Sequence, residues 1–262
     1  MDRLAHLRRD VHAFESAARA AADGSDAPTV PSCPGWTVSD LVAHLGWVHR
    51  YVTHIVADRL AEPPDEADAS FVGLPPDLTG WPSLDGTPSE GPVPATLLGW
   101  FTEGAAALES AFRGAREDER VWSWADEHTV GFWLRIQAVE AAVHRWDVEN
   151  AVTTARPIDA GLAADAISHN FEVMVPRRRE EAPAEPGRGE RYRFRATDRA
   201  AAWTVRFGAD DVAFTDGEGD VELAGTASDL MLFLWHRIPA DRLSVSGDQA
   251  VLDRYFALVP PA

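Results

Sequence analysis

The spacing of apolar residues changes once along the chain, and this change restricts the fold more than any other feature. Up to about residue 175 the apolar residues recur every three or four positions, which is typical of helices that bury one face. The first such stripe is Leu4, Leu7, Val11, Phe14 and Ala18. From residue 191 the segments RYRFRAT and WTVRFG alternate polar and apolar residues, as half-buried strands do. The sequence therefore predicts a helical part followed by a part that contains strands.

Four helices are predicted in the first part. The second begins at Thr37, where Thr37 and Asp40 form a Thr-x-x-Asp variant of the capping box. The third and fourth cover about 95–114 and 128–152. Residues 62–94 are rich in Pro, Gly, Asp and Ser and predict a long loop, which is uncommon inside a domain and often functional. Four helices with apolar stripes favour a four-helix bundle.

The second part mixes helices and strands. A helix over about 158–175 leads into PRRREEAPAEPGRGER, which we interpret as a linker or solvated loop. Four strand candidates follow, then a helix (ASDLMLFLWHRI), a strand (LSVSG) and a last helix (DQAVLDRYFAL). Strands in runs followed by helices indicate an α+β domain. We therefore predict an all-α four-helix bundle over 1–155 and a smaller C-terminal α+β domain over 156–262.

The charge of the chain limits its partners. The formal net charge is −18 at pH 7, and a surface this acidic repels phosphate backbones and anionic lipids. No apolar run approaches the roughly 20 residues that cross a bilayer, and the N-terminus lacks a signal-peptide core. A single cysteine, Cys33, excludes an internal disulfide and agrees with a reducing compartment. We expect a cytoplasmic protein, monomer or homodimer, that binds neither nucleic acid nor membranes.

The segment VEAAVHRWDVENA places three ionisable residues along one stripe of the fourth helix. Glu140 and His144 are four residues apart and lie on one face, so both side chains can reach one ion, and Asp147 lies close to the same line. A carboxylate and a neutral imidazole suit zinc or another divalent transition metal. The alternative is a surface contact between the two side chains, which would stabilise the helix by about 0.2–0.5 kcal/mol.

The second helix offers a third ligand. His44 occupies a core position of the stripe Leu41, His44, Val48, Tyr51, Ile55, where leucine is expected. Metal sites in bundles are built from inward-facing side chains of different helices. His44, Glu140 and His144 would leave one position open, which is the catalytic pattern. The alternative is a core histidine satisfied by hydrogen bonds. His49 lies off the stripe and is expected to point elsewhere.

Two further residues have open interpretations. Asp147 either orients a ligating imidazole from behind or pairs with Arg145 or another surface cation. Cys33, in SCPGW, is either a small residue packed in a turn or a reactive thiol, which would need an electropositive and accessible setting. Trp36 is expected to pack in the core, although Trp36 and the loop 62–94 are also candidates for the wall of a pocket.

PSCPGWTVSDLVAHLGWVHRY, followed by RIQAVEAAVHRWDVENA, resembles the mycothiol-dependent maleylpyruvate isomerase family over nearly the whole chain. The most specific parts are the Pro-Gly-Trp-Thr helix entry, the histidine of DLVAHL and the Glu-x-x-x-His-Arg-Trp-Asp block. The resemblance implies an N-terminal bundle of the DinB type and a smaller C-terminal α+β domain. It also implies a divalent metal, typically zinc, held by His44, Glu140 and His144.

The same resemblance implies a thiol co-substrate. In the family this is mycothiol, the low-molecular-weight thiol of actinobacteria, whose metal-activated thiolate adds to a small electrophile. The outcome is isomerisation when the thiol leaves again, or S-transfer when the adduct is the product. The resemblance also points to a catalytic cation in the C-terminal domain. Arg237 in LWHRIP is the first choice for it and Arg242 the second.

Two other functions compete with a thiol-dependent enzyme. One is a non-catalytic module that binds a small molecule or lipid and carries a vestigial metal site, since a bundle can hold a ligand without converting it. The other is a structural or stress-related protein whose site is vestigial, which the intact ligand set disfavours.

Overall fold

A computed structural model of the chain describes residues 1–65, 68–83, 88–182 and 184–260. The chain divides into two compact units, Met1–Arg156 and Pro157–Ala262. Part of the predicted loop 62–94, namely residues 66–67 and 84–87, lies outside the described residues, as do residue 183 of the predicted linker and the last two residues.

The first unit is the predicted four-helix bundle. Its helices are α1 (Arg3–Ala21), α2 (Val38–Ala57), α3 (Ala95–Gly114) and α4 (Val130–Val152). α1 packs on α3 and α4, and α2 also packs on α3 and α4. The capping box of α2 is confirmed: the Thr37 side chain accepts from the Asp40 N–H, and the Asp40 carboxylate accepts from the Thr37 N–H at 2.7 Å.

Apolar stripes of the helices meet in a continuous core. Phe14 of α1, Leu41 and Leu45 of α2, and Leu97 and Phe101 of α3 are fully buried. Each such side chain contributes about 1.5–3 kcal/mol relative to exposure. α4 is buried on most of its circumference, because α1 and α2 flank it. Ionisable residues of α4 are therefore drawn into the interior, where they need partners.

α2 and α3 approach closely at one glycine. A Cβ atom on Gly46 would lie 2.3 Å from Cζ3 of Trp100, so only glycine leaves room for the indole of α3. The Trp100 Nε1–H donates to the carbonyl of Val72 at 3.1 Å, in a short 3₁₀ turn, Ser70–Val72. The segment that joins α2 to α3 is thereby tied to the bundle.

The second unit is the predicted α+β domain. Helix α5 (Ala160–His169) runs through a π-helical turn (Asn170–Met174) into α6 (Val175–Glu181). Five strands follow with helix α7 (Ala227–Leu234) between the last two: β1 (Glu190–Ala196), β2 (Ala202–Phe207), β3 (Val212–Phe214), β4 (Val221–Gly225) and β5 (Ser244–Gly247). The sheet order is β3-β2-β1-β4-β5; β1 and β4 are parallel, and the other neighbours are antiparallel.

The interpretation of PRRREEAPAEPGRGER as a linker is wrong for its first residues. Pro176–Glu181 belong to α6, where Arg178 is buried and the Arg179 Nη1–H donates to the carbonyl of Leu258 at 2.7 Å. These arginines pack on the domain instead of lying in solvent, which no local pattern indicates.

Two predicted helices are shorter than expected. The helix predicted over 227–238 ends at Leu234, because His236 adopts a left-handed conformation (φ 60°) and the Arg237 N–H donates to the carbonyl of Leu232 at 2.8 Å. This is a Schellman-type end that usually employs glycine. The helix predicted over 248–258 is divided at Arg254 into α8 (Gln249–Asp253) and α9 (Tyr255–Leu258).

Among the helices that the structure describes, none combines the length and the apolar character required to cross a bilayer.

Candidate metal centre

α2 and α4 bring His44, Glu140 and His144 together. Nε2 of His44 lies 3.1 Å from Oε1 of Glu140, and Nε2 of His144 lies 3.3 Å from the same oxygen. The two imidazole rings meet edge to face with their centroids 5.1 Å apart. One ligand atom from each residue falls within 4.8 Å of the other two. Two nitrogens and one oxygen thus converge on one point between the helices.

The three side chains differ in exposure. His144 is buried, whereas the side chains of His44 and Glu140 are 33% and 30% exposed. The prediction that His44 takes a core position of its stripe is therefore wrong in detail. The ring lies at the edge of the core, 5.1 Å from the ring of Trp36, and borders a cavity. One side of the cluster is open to a ligand.

The cluster attracts positive charge. Burial alone lowers the pKa of His144, but its hydrogen bonds with Asp147 and Glu140 outweigh burial and raise the pKa to about 9. Burial raises the pKa of Glu140, yet hydrogen bonds from His144 and His44 hold that pKa well below its usual range. Two carboxylates therefore stabilise a cation at His144, and a divalent ion would meet the same favourable field.

Asp147 stands behind His144 and is fully buried. Its Oδ2 accepts a hydrogen bond from Nδ1 of His144 at 2.9 Å. Ser32 Oγ donates to Oδ1 at 2.6 Å, and the Cys33 thiol donates to Oδ2 at 3.5 Å. A proton held on Nδ1 leaves the lone pair of Nε2 directed at the cluster, which is how carboxylate–histidine pairs orient a metal ligand.

The donor set fits a divalent transition metal. Bonds of about 2.0–2.1 Å in a tetrahedron require donors about 3.3 Å apart. The two distances to Glu140 Oε1, 3.1 and 3.3 Å, agree with that separation. Imidazole nitrogen and carboxylate oxygen are ligands of zinc, and three of them leave a fourth position open. The residues present are thus able to hold the ion that the sequence predicts.

A cavity of about 560 Å³ adjoins His44. We call it the tryptophan cavity; its lining residues are Gly35, Trp36, Asp40, Ala43, His44, Trp47, Ala69, Val72, Leu74, Leu78, Trp81, Pro82, Ser83 and Trp100. Half of them belong to the segment between α2 and α3, so this segment does wall a pocket. Trp36 borders the cavity as well as packing on the core. The predicted stripe of α2 does not include Trp47, although Trp47 lies three residues after His44, a spacing that places both on one side of the helix. Trp81 lies in an irregular segment, where no helical or strand spacing marks it.

His49 lies in the core of the bundle, fully buried against the ring of Phe101. Neither of its ring nitrogens has a hydrogen-bond partner among the described residues. Burial lowers its pKa to about 3. Its folded-state pKa lies below the unfolded value, so the folded state excludes a proton that the unfolded chain accepts, and the protein loses stability as the pH falls below about 6.5.

We expect His49→Leu to remove a pH dependence of stability. Between pH 7 and pH 5 the wild-type free energy of unfolding should fall by about 2 kcal/mol because of this residue, with a slope that approaches about 1.4 kcal/mol per pH unit near pH 5. In the variant that part of the slope should vanish, which urea unfolding at pH 7 and pH 5 would measure. His12→Ala, at an exposed site of α1, should keep the wild-type slope. Equal slopes in wild type and His49→Leu would contradict the prediction.

The predicted cations lie in the second unit. Arg237 follows the left-handed residue His236 and is half-buried; its Nη1–H donates to the carbonyl of Trp235 at 2.9 Å. Arg242 is exposed at the end of a 3₁₀ turn, Ala240–Arg242. The catalytic role of either arginine stays a prediction. Cys33 is partly buried, and its thiol points to Asp147.

Both units of the chain match known protein families. Residues 4–149 match the domain family described as "Mycothiol maleylpyruvate isomerase N-terminal domain", and residues 161–254 match the "MDMPI C-terminal domain". No curated protein matches the chain. A crystal structure of a mycothiol-dependent maleylpyruvate isomerase is similar with a TM-score of 0.58 and 17% identity, covering 100% of this chain and 96% of the other. A histidine-to-alanine mutant of such an isomerase gives a TM-score of 0.59 and 16% identity over the same shares.

Proposed function

Because the chain belongs to the mycothiol maleylpyruvate isomerase family, we propose that it is a metal-dependent enzyme that adds the sulfur of mycothiol to a small electrophile. The observation that carries this proposal is the convergence of His44 Nε2 and His144 Nε2 on Glu140 Oε1 beside an open cavity. A surface contact between Glu140 and His144 of α4 does not account for His44, which comes from α2 and reaches the same carboxylate oxygen.

We assign His44, Glu140 and His144 as the residues that hold the metal, zinc or another divalent transition metal. When bound, the ion supplies Lewis-acid stabilisation of a thiolate, the nucleophilic form of the thiol. Glu140 is the one negatively charged ligand of the three. Its charge offsets part of the positive charge of the ion, which the neutral imidazoles cannot do. The partial exposure of His44 and Glu140 supports a site that a co-substrate can reach.

Asp147 is the proposed positioning residue. It fixes the proton on Nδ1 of His144, and Ser32 and Cys33 hold the carboxylate in place by donating to it. We therefore assign Cys33 to the support of Asp147 and not to nucleophilic attack. The nucleophile of this proposal is the external thiol.

The reaction adds S–H across a carbon–carbon double bond conjugated to a carbonyl group. The sulfur–carbon bond forms at the β-carbon, and the thiol proton finally resides on the α-carbon. An isomerase lets the new single bond rotate and then expels the thiol, whereas an S-transferase releases the adduct. Arg237 is the proposed cation for the carbonyl or carboxylate oxygen of the electrophile, with Arg242 as the second choice.

The function is tested with purified protein, mycothiol and maleylpyruvate. Consumption of maleylpyruvate that requires both mycothiol and a divalent metal, with fumarylpyruvate as product, would establish the isomerase. A thioether adduct as the final product would establish the transferase. Metal-free protein from a preparation without chelator would contradict the whole proposal. The tryptophan cavity also favours a second candidate, a non-catalytic binding module, which predicts a retained ligand and no thiol-dependent turnover.

Replacing Asp147 by asparagine is expected to weaken metal binding about 10–100-fold, the usual effect of losing the residue that orients a ligating histidine. The amide keeps the shape of the carboxylate but loses its charge. Competition with a chromogenic chelator would measure the affinity. Asp40→Asn is not a suitable control, because Asp40 caps α2; Asp58→Asn, on the exposed end of that helix, is matched and should bind metal normally. An unchanged affinity of Asp147→Asn would exclude the positioning role.

A further inference from the structure

The tryptophan cavity has an unusual lining for a site that adjoins charged groups. Four indole rings, those of Trp36, Trp47, Trp81 and Trp100, surround it, and aliphatic side chains fill the gaps between them. Its polar lining side chains are Asp40, His44 and Ser83. A volume of about 560 Å³ lies within the range of cavities, about 300–1,000 Å³, that hold drug-sized ligands. The cavity is therefore much larger than one thiol sulfur needs.

The cavity lacks a cation for a carboxylate. None of its described lining residues is arginine, and the sequence contains no lysine at all and no arginine between Arg59 and Arg113. The guanidinium of Arg50 lies over the ring of Trp100, 4.2 Å from its centroid, and is not part of the lining. A carboxylate held in this lining, away from the proposed metal beside His44, would lose its hydration without compensation.

The cavity also offers few partners for a polyhydroxylated molecule. One oxygen of the Asp40 carboxylate, Oδ2, already accepts hydrogen bonds from the backbone N–H and hydroxyl of Thr37 and from the N–H and hydroxyl of Ser89, so that Oδ1 is the carboxylate oxygen left for a ligand. Most hydroxyl groups of a sugar-like thiol would therefore be buried without partners, at a cost of about 1–3 kcal/mol each by protein mutational data.

Exposed apolar side chains mark the rim of the same cavity. Trp47, Leu74 and Leu78 are 44%, 53% and 43% exposed, and all three line it. Trp47 is held by stacking on Tyr51, with the centroids 5.1 Å apart. A contiguous exposed apolar patch around a cavity marks a binding site for an apolar molecule.

We propose that the electrophile of this enzyme has an uncharged aromatic body, which the tryptophan cavity binds while a conjugated carbonyl group extends past His44 towards the metal centre. This inference rests on the function proposed above and names the substrate class, an aryl-substituted α,β-unsaturated ketone or a compound of the same kind. The thiol adds as S–H across the carbon–carbon double bond: sulfur bonds to the β-carbon and the proton ends on the α-carbon, so no further reactant is needed. Aromatic rings of the ligand gain both buried area and offset or edge contacts with the indoles.

The test separates ligand class from catalysis. Binding of benzylacetone, a saturated aryl ketone that cannot add a thiol, is measured by calorimetry on the full chain, without mycothiol. Maleate serves as the dicarboxylate probe and an inositol–glucosamine conjugate without sulfur as the probe for the thiol. Turnover of benzylideneacetone, the unsaturated counterpart, is then followed with mycothiol and metal.

The matched variants are Leu74→Arg and Ser16→Arg. Leu74→Arg introduces a cation at the rim of the cavity, at an exposed position that tolerates a long side chain; Ser16→Arg adds the same charge at an exposed site of α1. We expect Leu74→Arg to weaken benzylacetone binding about tenfold, comparable with the loss of one or two apolar groups from a pocket. Ser16→Arg should bind it as the wild type does.

The outcomes distinguish the two proposals. Benzylacetone binding that only Leu74→Arg weakens, together with thiol-dependent turnover of benzylideneacetone, supports the aromatic substrate class. The same binding without any thiol-dependent turnover contradicts the proposed function and shows only that the cavity takes an aromatic ligand. Thiol- and metal-dependent turnover of a dicarboxylate together with no benzylacetone binding overturns the substrate class and leaves the proposed function intact. Tight binding of the sulfur-free conjugate that Leu74→Arg weakens also overturns it, because the cavity would then belong to the thiol.

Discussion

Replacing His44 by alanine should remove the metal while the bundle stays folded. His44 supplies one of three convergent ligand atoms, and its side chain is one-third exposed, so its removal opens little space in the core. We expect the metal content to fall from about one equivalent per chain to a trace, with an affinity loss above the roughly 10–100-fold that follows removal of a residue behind a ligand. Elemental analysis and a chelator competition would measure content and affinity.

The control for this prediction is His12→Ala. His12 is an exposed histidine of α1, so its loss removes the same imidazole without touching the cluster. His144→Ala should lose the metal too, but it also leaves the buried carboxylate of Asp147 without its imidazole partner and should lower the melting temperature. If His44→Ala retained a full equivalent of tightly bound metal, the assignment of the three ligands would be wrong.

The bundle follows closely from sequence patterns. Regular apolar spacing predicts the third helix over 95–114, and the helix extends over Ala95–Gly114, with Pro94 immediately before it. The second starts after Thr37, as its capping box indicates. The predicted secondary structure is less accurate in the second unit. There the π-helical turn, the buried Arg178 and the left-handed His236 depend on tertiary contacts, which no local sequence pattern indicates.

The cluster of His44, Glu140 and His144 could be predicted in part. Spacing on α4 places Glu140 and His144 together, since residues four apart are neighbours on a helix. That His44 joins them depends on the packing of α2 against α4, which the sequence alone leaves open. The tryptophan cavity could also be predicted only in part: Trp36 and the loop 62–94 are candidates for a pocket wall, but which residues of the loop face the cavity depends on contacts such as the Trp100–Val72 hydrogen bond.

Arg145, the residue after His144, belongs to a buried ionic network. Its Nε–H donates to Asp10 of α1 at 3.3 Å, and its Nη1–H donates to Glu149 at 2.9 Å and to the carbonyl of Arg156 at 2.6 Å. Arg145, Asp10 and Glu149 are 3–5% exposed. Glu149 also accepts from the N–H of Arg156 at 2.8 Å. The network ties α4 to α1 and to the chain that leaves α4, and so fixes the helix that carries Glu140, His144 and Asp147.

Arg145→Ala is expected to destabilise the first unit by about 1–3 kcal/mol, because it removes the shared partner of the buried Asp10 and Glu149, which keep their ion pairs with Arg9 and Arg156. Urea unfolding monitored by far-UV circular dichroism would measure the loss. Arg116→Ala is the matched control: Arg116 pairs with Asp118 at an exposed site, where such pairs contribute about 0–1 kcal/mol. The double variant Arg145→Met, Glu149→Leu should recover part of the loss, since it removes charges from both sides of the pair. A loss for Arg145→Ala no larger than that for Arg116→Ala would show that water reaches the network and that α4 is held by its apolar contacts alone.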